Sequence, residues 1–79
     1  MIKYKFEQFN VEIIDPTIEI LTEGISIFPN SMTIEVGIIL QVDSAKFGLR
    51  LEDIKVENLT FDGGTLYTRV MTRLKDFEV

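Results

Sequence analysis

Residues 32–43 read MTIEVGIILQVD, and they decide the fold. Met32, Ile34, Val36, Ile38, Leu40 and Val42 make one apolar row at a spacing of two, with Thr33, Glu35, Gln41 and Asp43 between them. Alternate side chains of a β-strand point to opposite faces, whereas a helix would scatter these residues around its circumference. Ile39 breaks the alternation. It is apolar on the face that should meet solvent, and the neighbouring position on that face, Gly37, carries no side chain. The middle of this strand is therefore expected to be covered on both faces.

Working towards the N-terminus, Pro29-Asn30-Ser31 stops a short strand, Ile25 to Phe28. Thr17 to Thr22 alternates weakly, and with residues 25–28 it forms either a hairpin or one strand kinked at Gly24. Further back, Ile2, Tyr4 and Phe6 alternate with Lys3, Lys5 and Glu7, and then Phe9, Val11 and Ile13 continue with the opposite parity. A phase slip at Glu7-Gln8 is the mark of an inserted residue, so residues 2–14 read as one bent strand or two short ones. Asp15-Pro16 ends this segment, because proline has no N–H for a ladder. Lys3 and Lys5 read as protection of a sheet edge.

Towards the C-terminus, residues 43–48, DSAKFG, supply turn formers. Residues 49–61, LRLEDIKVENLTF, change parity twice, near Glu52-Asp53 and near Glu57-Asn58. A strand with two bulges explains this better than a short amphipathic helix. Asp62-Gly63-Gly64 reads as a hairpin loop. After it, Leu66, Thr68, Val70, Thr72 and Leu74 alternate with Tyr67, Arg69, Met71 and Arg73. A three-residue loop sets Phe61 opposite Thr65, Val56 opposite Val70, Glu57 opposite Arg69 and Asp53 opposite Arg73. Opposite charges directly across a ladder contribute up to about 1 kcal/mol each. Residues 74–79, LKDFEV, keep the β pattern to the last residue, as a strand paired within the sheet or added to a neighbouring chain. The expected fold is all-β: one domain over residues 1–79, a small antiparallel β-sandwich or partly open barrel of about five to seven strands, with a C-terminal hairpin around residues 54–73.

Composition narrows the function. The chain has 79 residues, no histidine, no cysteine and a formal net charge of −5. Disulfides and thiolate metal sites are excluded, and the commonest general base is missing. A chain this short has a marginal core, so oligomerisation is the expected source of added stability. The acidic balance disfavours nucleic acid and anionic membranes. The opening MIKYKFEQFN has no continuous apolar core, so it does not read as a signal peptide, and a cytoplasmic protein is expected. Asn58-Leu59-Thr60 matches a glycosylation sequon, which reads as chance in that setting.

Chemistry is sparse. Ser44 and Lys46 read as turn and surface residues, not as a serine–lysine pair. Glu52, Asp53 and Glu57 read as a solvated face rather than catalytic carboxylates, and Asp62 lacks the spacing of a calcium loop. No enzyme activity and no cofactor are expected. The leading expectation is a protein–protein contact or assembly module, working through β-edge pairing and an apolar sheet face, with itself or a larger assembly as partner. Ile39, Leu74 and Phe77 are its expected interface residues. The alternative is a small barrel binding an apolar or anionic small molecule, with Tyr67, Arg69 and Arg73 as the anion contacts, since guanidinium forks suit carboxylates.

Overall fold

The computed structural model describes residues 1–59 and 62–79. The elements in order are β1 (Lys3–Lys5), β2 (Glu12–Ile14), β3 (Thr17–Phe28), β4 (Thr33–Val42), β5 (Ala45–Lys55), α1 (Gly63–Leu74) and a 3-10 turn (Lys75–Phe77). Strand dominates, in two antiparallel sheets: β1-β2, and β3-β4-β5 with β4 in the centre. This arrangement is neither a sandwich nor a barrel.

Strand β4 is the stretch with the unbroken apolar row. Ile34, Val36, Ile38 and Leu40 are fully buried on one face of the sheet. The register places Ile18, Ile20, Phe47, Leu49, Leu51 and Ile54 on that same face. It closes with a two-residue turn, Asp43-Ser44, which pairs Val42 with Ala45. Asp43 has φ 54°, and the twist-compatible two-residue turns need positive φ at their first position. Strand β5 therefore begins sooner than the turn-rich composition of residues 43–48 suggested.

Two irregularities shape the sheet. In β5, Ile54 pairs with Ile34 and Leu51 with Val36, so Glu52-Asp53 contains one residue too many, and Asp53 takes φ 57°. This is the first of the two parity changes read from residues 49–61. In β3, Leu21 pairs with Gly37 and Ser26 with Glu35, leaving residues 22–25 against Val36 alone. Residues 17–28 are thus one irregular strand, not a hairpin. Residues 2–14 form two short strands joined by a turn, with Tyr4 opposite Ile13.

The C-terminal hairpin expected around residues 54–73 does not form; residues 63–74 are helical. Asp62 is the N-cap, its carboxylate accepting from the Thr65 N–H at 2.7 Å. That hydrogen bond satisfies one of the donors that every helix start leaves open. The Thr68 hydroxyl donates to the Gly64 carbonyl at 3.1 Å and the Thr72 hydroxyl to the Thr68 carbonyl at 2.9 Å, so these β-branched residues are accommodated inside the helix. Leu66, Val70 and Leu74, four residues apart, make the buried stripe. Burying each contributes roughly 1.5–3 kcal/mol. Phe61 and Thr60, and with them the expected Phe61–Thr65 pairing and the end of the sequon, lie outside the described residues.

Helix α1 packs against β5 and the β1-β2 hairpin against β4, so both cover the same face of the three-stranded sheet. Between them runs a series of rings: Phe6 lies 4.8 Å from Phe77 and 6.0 Å from Phe9, which lies 5.3 Å from Phe47. The C-terminus turns back on its own chain: Glu78 bridges Tyr4, and the Val79 N–H donates to the Lys3 carbonyl at 3.0 Å. The opposite face of the sheet has no second layer among the described residues. The expectation that β4 is covered on both faces is therefore not met among the described residues.

Candidate functional site

The expected anion contacts are not brought together. As helix residues, Arg69 and Arg73 share one side of α1 while Tyr67 lies on another. Arg69 reaches Glu57 at 3.4 Å, the partner expected from the charge pattern, although helix-to-loop packing and not a ladder makes the contact. Arg73 does not meet the Asp53 carboxylate. Its Nε donates to the Glu52 carbonyl at 3.0 Å, its Nη1 pairs with Asp76 at 2.8 Å, and its guanidinium lies 5.0 Å from the centre of the Phe77 ring. It thus ties the helix end to the β5 bulge. Tyr67 is 49% exposed and borders a separate shallow groove of about 360 Å³ with Ile2, Tyr4 and Met71.

A wider groove, about 800 Å³, runs between the β1-β2 turn, β5 and the 3-10 turn. Its lining mixes Phe6, Leu49 and Phe77 with Lys5, Glu52, Arg73 and Asp76. Among the described residues no buried side-chain polar atom lacks a partner, and no three carboxylate or histidine groups gather as a metal site would need. Ser44 lies in the hairpin turn, Asp62 caps the helix, and Glu52 and Asp53 occupy the bulge. The N–H of Thr65 on the Asp62 carboxylate holds its pKa below the usual value, which marks a cap rather than a proton-transfer group.

The expected interface residues divide. Leu74 is fully buried in the chain's own core. Phe77 is half-buried against Phe6 and Arg73. Both therefore make contacts within the chain, because the segment is a helix end and not an added strand. Ile39 is different: it is half-buried on the bare outer face of the sheet, with Glu19 and Gly48 on either side of it in the ladder.

That outer face is the candidate site. Its next row is Leu21, Gly37 and Arg50. Arg50 crosses the sheet: Nε pairs with Glu35 at 3.0 Å, Nη1 donates to the Gly24 carbonyl at 2.9 Å, and Nη2 donates to the Ser26 hydroxyl at 2.8 Å. The arginine of one edge strand thereby clasps the irregular segment of the other. A side chain at Gly37 would begin in the space beside this crossing and 3.4 Å from the Leu21 Cδ1. At Gly48 a Cβ would meet nothing within 4 Å, so the face has an open notch there. Two large apolar side chains of β3 are exposed on this face, Leu21 at 39% and Phe28 at 42%, whereas the exposed Ile27 lies opposite Ile34 and belongs to the other face. Ile39 was legible in the sequence as an apolar residue off the pattern. The Arg50 clasp was not, because it depends on the register across three strands.

No helix among the described residues is long and apolar enough to cross a membrane. Comparisons with protein-family models, with curated proteins and with solved structures find no match.

Proposed function

We propose that this chain is a non-enzymatic protein-contact module that docks through the outer face of β3-β4-β5 and the adjoining edge of β3. The carrying observation is the uneven cover of the sheet. Helix α1 and the β1-β2 hairpin occupy one face, while half-buried Ile39 and exposed Leu21 and Phe28 stand on the other, where the described residues form no second layer. Antiparallel sheets do leave one face to water, but that face is then normally polar. An apolar centre ringed by charges is the anatomy of a contact surface. Strand β3 adds an edge that pairs with no other described strand and carries neither lysine nor proline, although the irregularity at residues 22–25 interrupts it. Protein is the partner; the net charge of −5 argues against nucleic acid and anionic membrane.

The ligand-binding alternative has weaker support. Both arginines that would orient an anion are engaged with Glu57, Asp76 and the Glu52 carbonyl. The test is photo-cross-linking from single positions in cells that make the protein. Discrete protein adducts are expected from positions 21 and 39 and not from position 72, on the exposed side of the helix. Adducts that form equally from position 72, or none from 21 and 39, would reject the outer face.

A further inference from the structure

We infer that the partner of the outer face is a second copy of this chain, packed sheet on sheet about a two-fold axis that runs parallel to β4. The inference rests on the contact-module reading and adds an occupant and a geometry to it. Three observations carry it. The first is the apolar centre: Ile39 lies in the middle strand, so an axis along β4 sets Ile39 against its own copy. The second is charge. On this face β5 contributes Lys46 and Arg50, whereas β3 contributes Glu19. Arg50 is held by Glu35, but among the described residues neither Lys46 nor Glu19 has an ion-pair partner, and Ile39 stands between their strands. The third is the notch at Gly48, directly across Ile39 from Glu19.

The choice of axis follows from these positions. Two sheets facing each other about an axis across the strands would lay β3 over its own copy and bring the two Glu19 carboxylates together. An axis along the strands instead lays each β3 over the other copy's β5. Glu19 of each copy then enters the open notch at Gly48, between Arg50 and the unpaired Lys46. Each charge pair forms twice, once on each side of the Ile39 contact, as an isologous interface demands. The result is a sandwich made from two chains, with a helix and a hairpin on each outside.

The area sets the strength. Three strands spaced about 4.8 Å apart and about 33 Å long present a projected area of roughly 475 Å². That is below the roughly 800 Å² per partner of a standard interface, so the dimer is weak and depends on concentration.

Charge exchange tests the geometry. Glu19→Lys and Lys46→Glu are each followed by sedimentation equilibrium from micromolar to millimolar, alone and as an equimolar mixture. Both positions are exposed, and thermal melts by circular dichroism check that each variant folds. Each variant alone places like charges in both pairs, so its dimer dissociation constant rises at least about tenfold over wild type. The mixture forms two correct pairs with position 46 per heterodimer, although position 19 of one chain still faces Arg50 of the other, so it binds more tightly than either variant alone without reaching wild type. Glu19→Gln, which removes the charge at nearly constant shape, weakens the dimer less than Glu19→Lys does, and mixing it with the Lys46→Glu chain restores only one of the two pairs. A wild-type dimer that ignores both exchanges, or a mixture no stronger than its components, overturns this geometry and leaves the contact-module reading standing. Wild type that stays monomeric at millimolar concentration overturns self-association, and cross-linking from positions 21 and 39 then decides the broader reading separately.

Discussion

Replacing Leu74 with alanine, and separately replacing Thr72, distinguishes a helix from a strand in the C-terminal region. In a strand both residues would lie on one face, at a spacing of two. In the helix they do not: Leu74 is fully buried under the sheet and Thr72 is exposed. Leu74→Ala deletes three buried carbons, worth about 0.8 kcal/mol each in transfer, and leaves a cavity that neighbouring side chains fill only partly. The expected loss is about 2–5 kcal/mol. A chain of 79 residues has a total stability of roughly 4–12 kcal/mol, so this is a large share of it. At about 4–8 °C per kcal/mol, the Tm falls by more than about 10 °C. Thr72→Ala removes an exposed hydroxyl bond to the Thr68 carbonyl and installs a better helix former. Its net effect stays within about 0.5 kcal/mol. Urea unfolding followed by circular dichroism at the helical minimum gives both values. Equal losses for the two variants, or a negligible loss for Leu74→Ala, would refute the helix and its docking.

Other perturbations follow from the same contacts. Asp62 has its pKa held down by the Thr65 N–H in the folded state, so its contribution is present above the unfolded carboxylate pKa and is lost as pH falls through the lower folded value. Asp62→Asn keeps a capping oxygen that does not titrate, so the wild-type melting advantage over this variant shrinks below about pH 4 in a series of thermal melts. Arg50→Ala releases the residue 22–25 segment of β3, with faster amide exchange there and a global cost of about 1 kcal/mol for a half-exposed cluster. Burial, and then the nearby Glu78 and Tyr67, raise the Tyr4 pKa, so the stability it contributes is present below the unfolded tyrosine pKa and is lost as pH rises through the folded value. Ultraviolet titration shows a tyrosine ionising above the usual tyrosine range, and Tyr4→Phe removes that late step.

Much of the sheet was legible from its alternation. The row from Ile34 to Leu40 had one reading, and the parity change at Glu52-Asp53 marked a real bulge. The helix was hidden by a coincidence of periods. Leu66, Val70 and Leu74 are four apart, which fits both a period of two and one of about 3.6. Threonines at 65, 68 and 72 favour strand by composition, and Asp-Gly-Gly imitates a hairpin loop. The polar Thr68 and Thr72 inside the supposed buried row were the available clue, together with an aspartate three residues before Thr65, the spacing of a helix cap. The fate of Leu74 and Phe77 depended on that misread period, since a strand would have carried them outward. The separation of Tyr67 from Arg69 and Arg73 has the same origin. Ile39 could be read because it departs from a strong pattern, but only the three-strand register places Glu19, Gly48 and Lys46 around it.

The most direct test is a dilution series of amide chemical shifts on uniformly labelled wild-type protein. Self-association through the outer face requires that shifts in residues 17–21, 37–41 and 46–50 move together with concentration while those of α1 and the β1-β2 hairpin hold still. Shifts that move chiefly in α1 or the hairpin, or none that move up to millimolar concentration, would contradict a paired outer face.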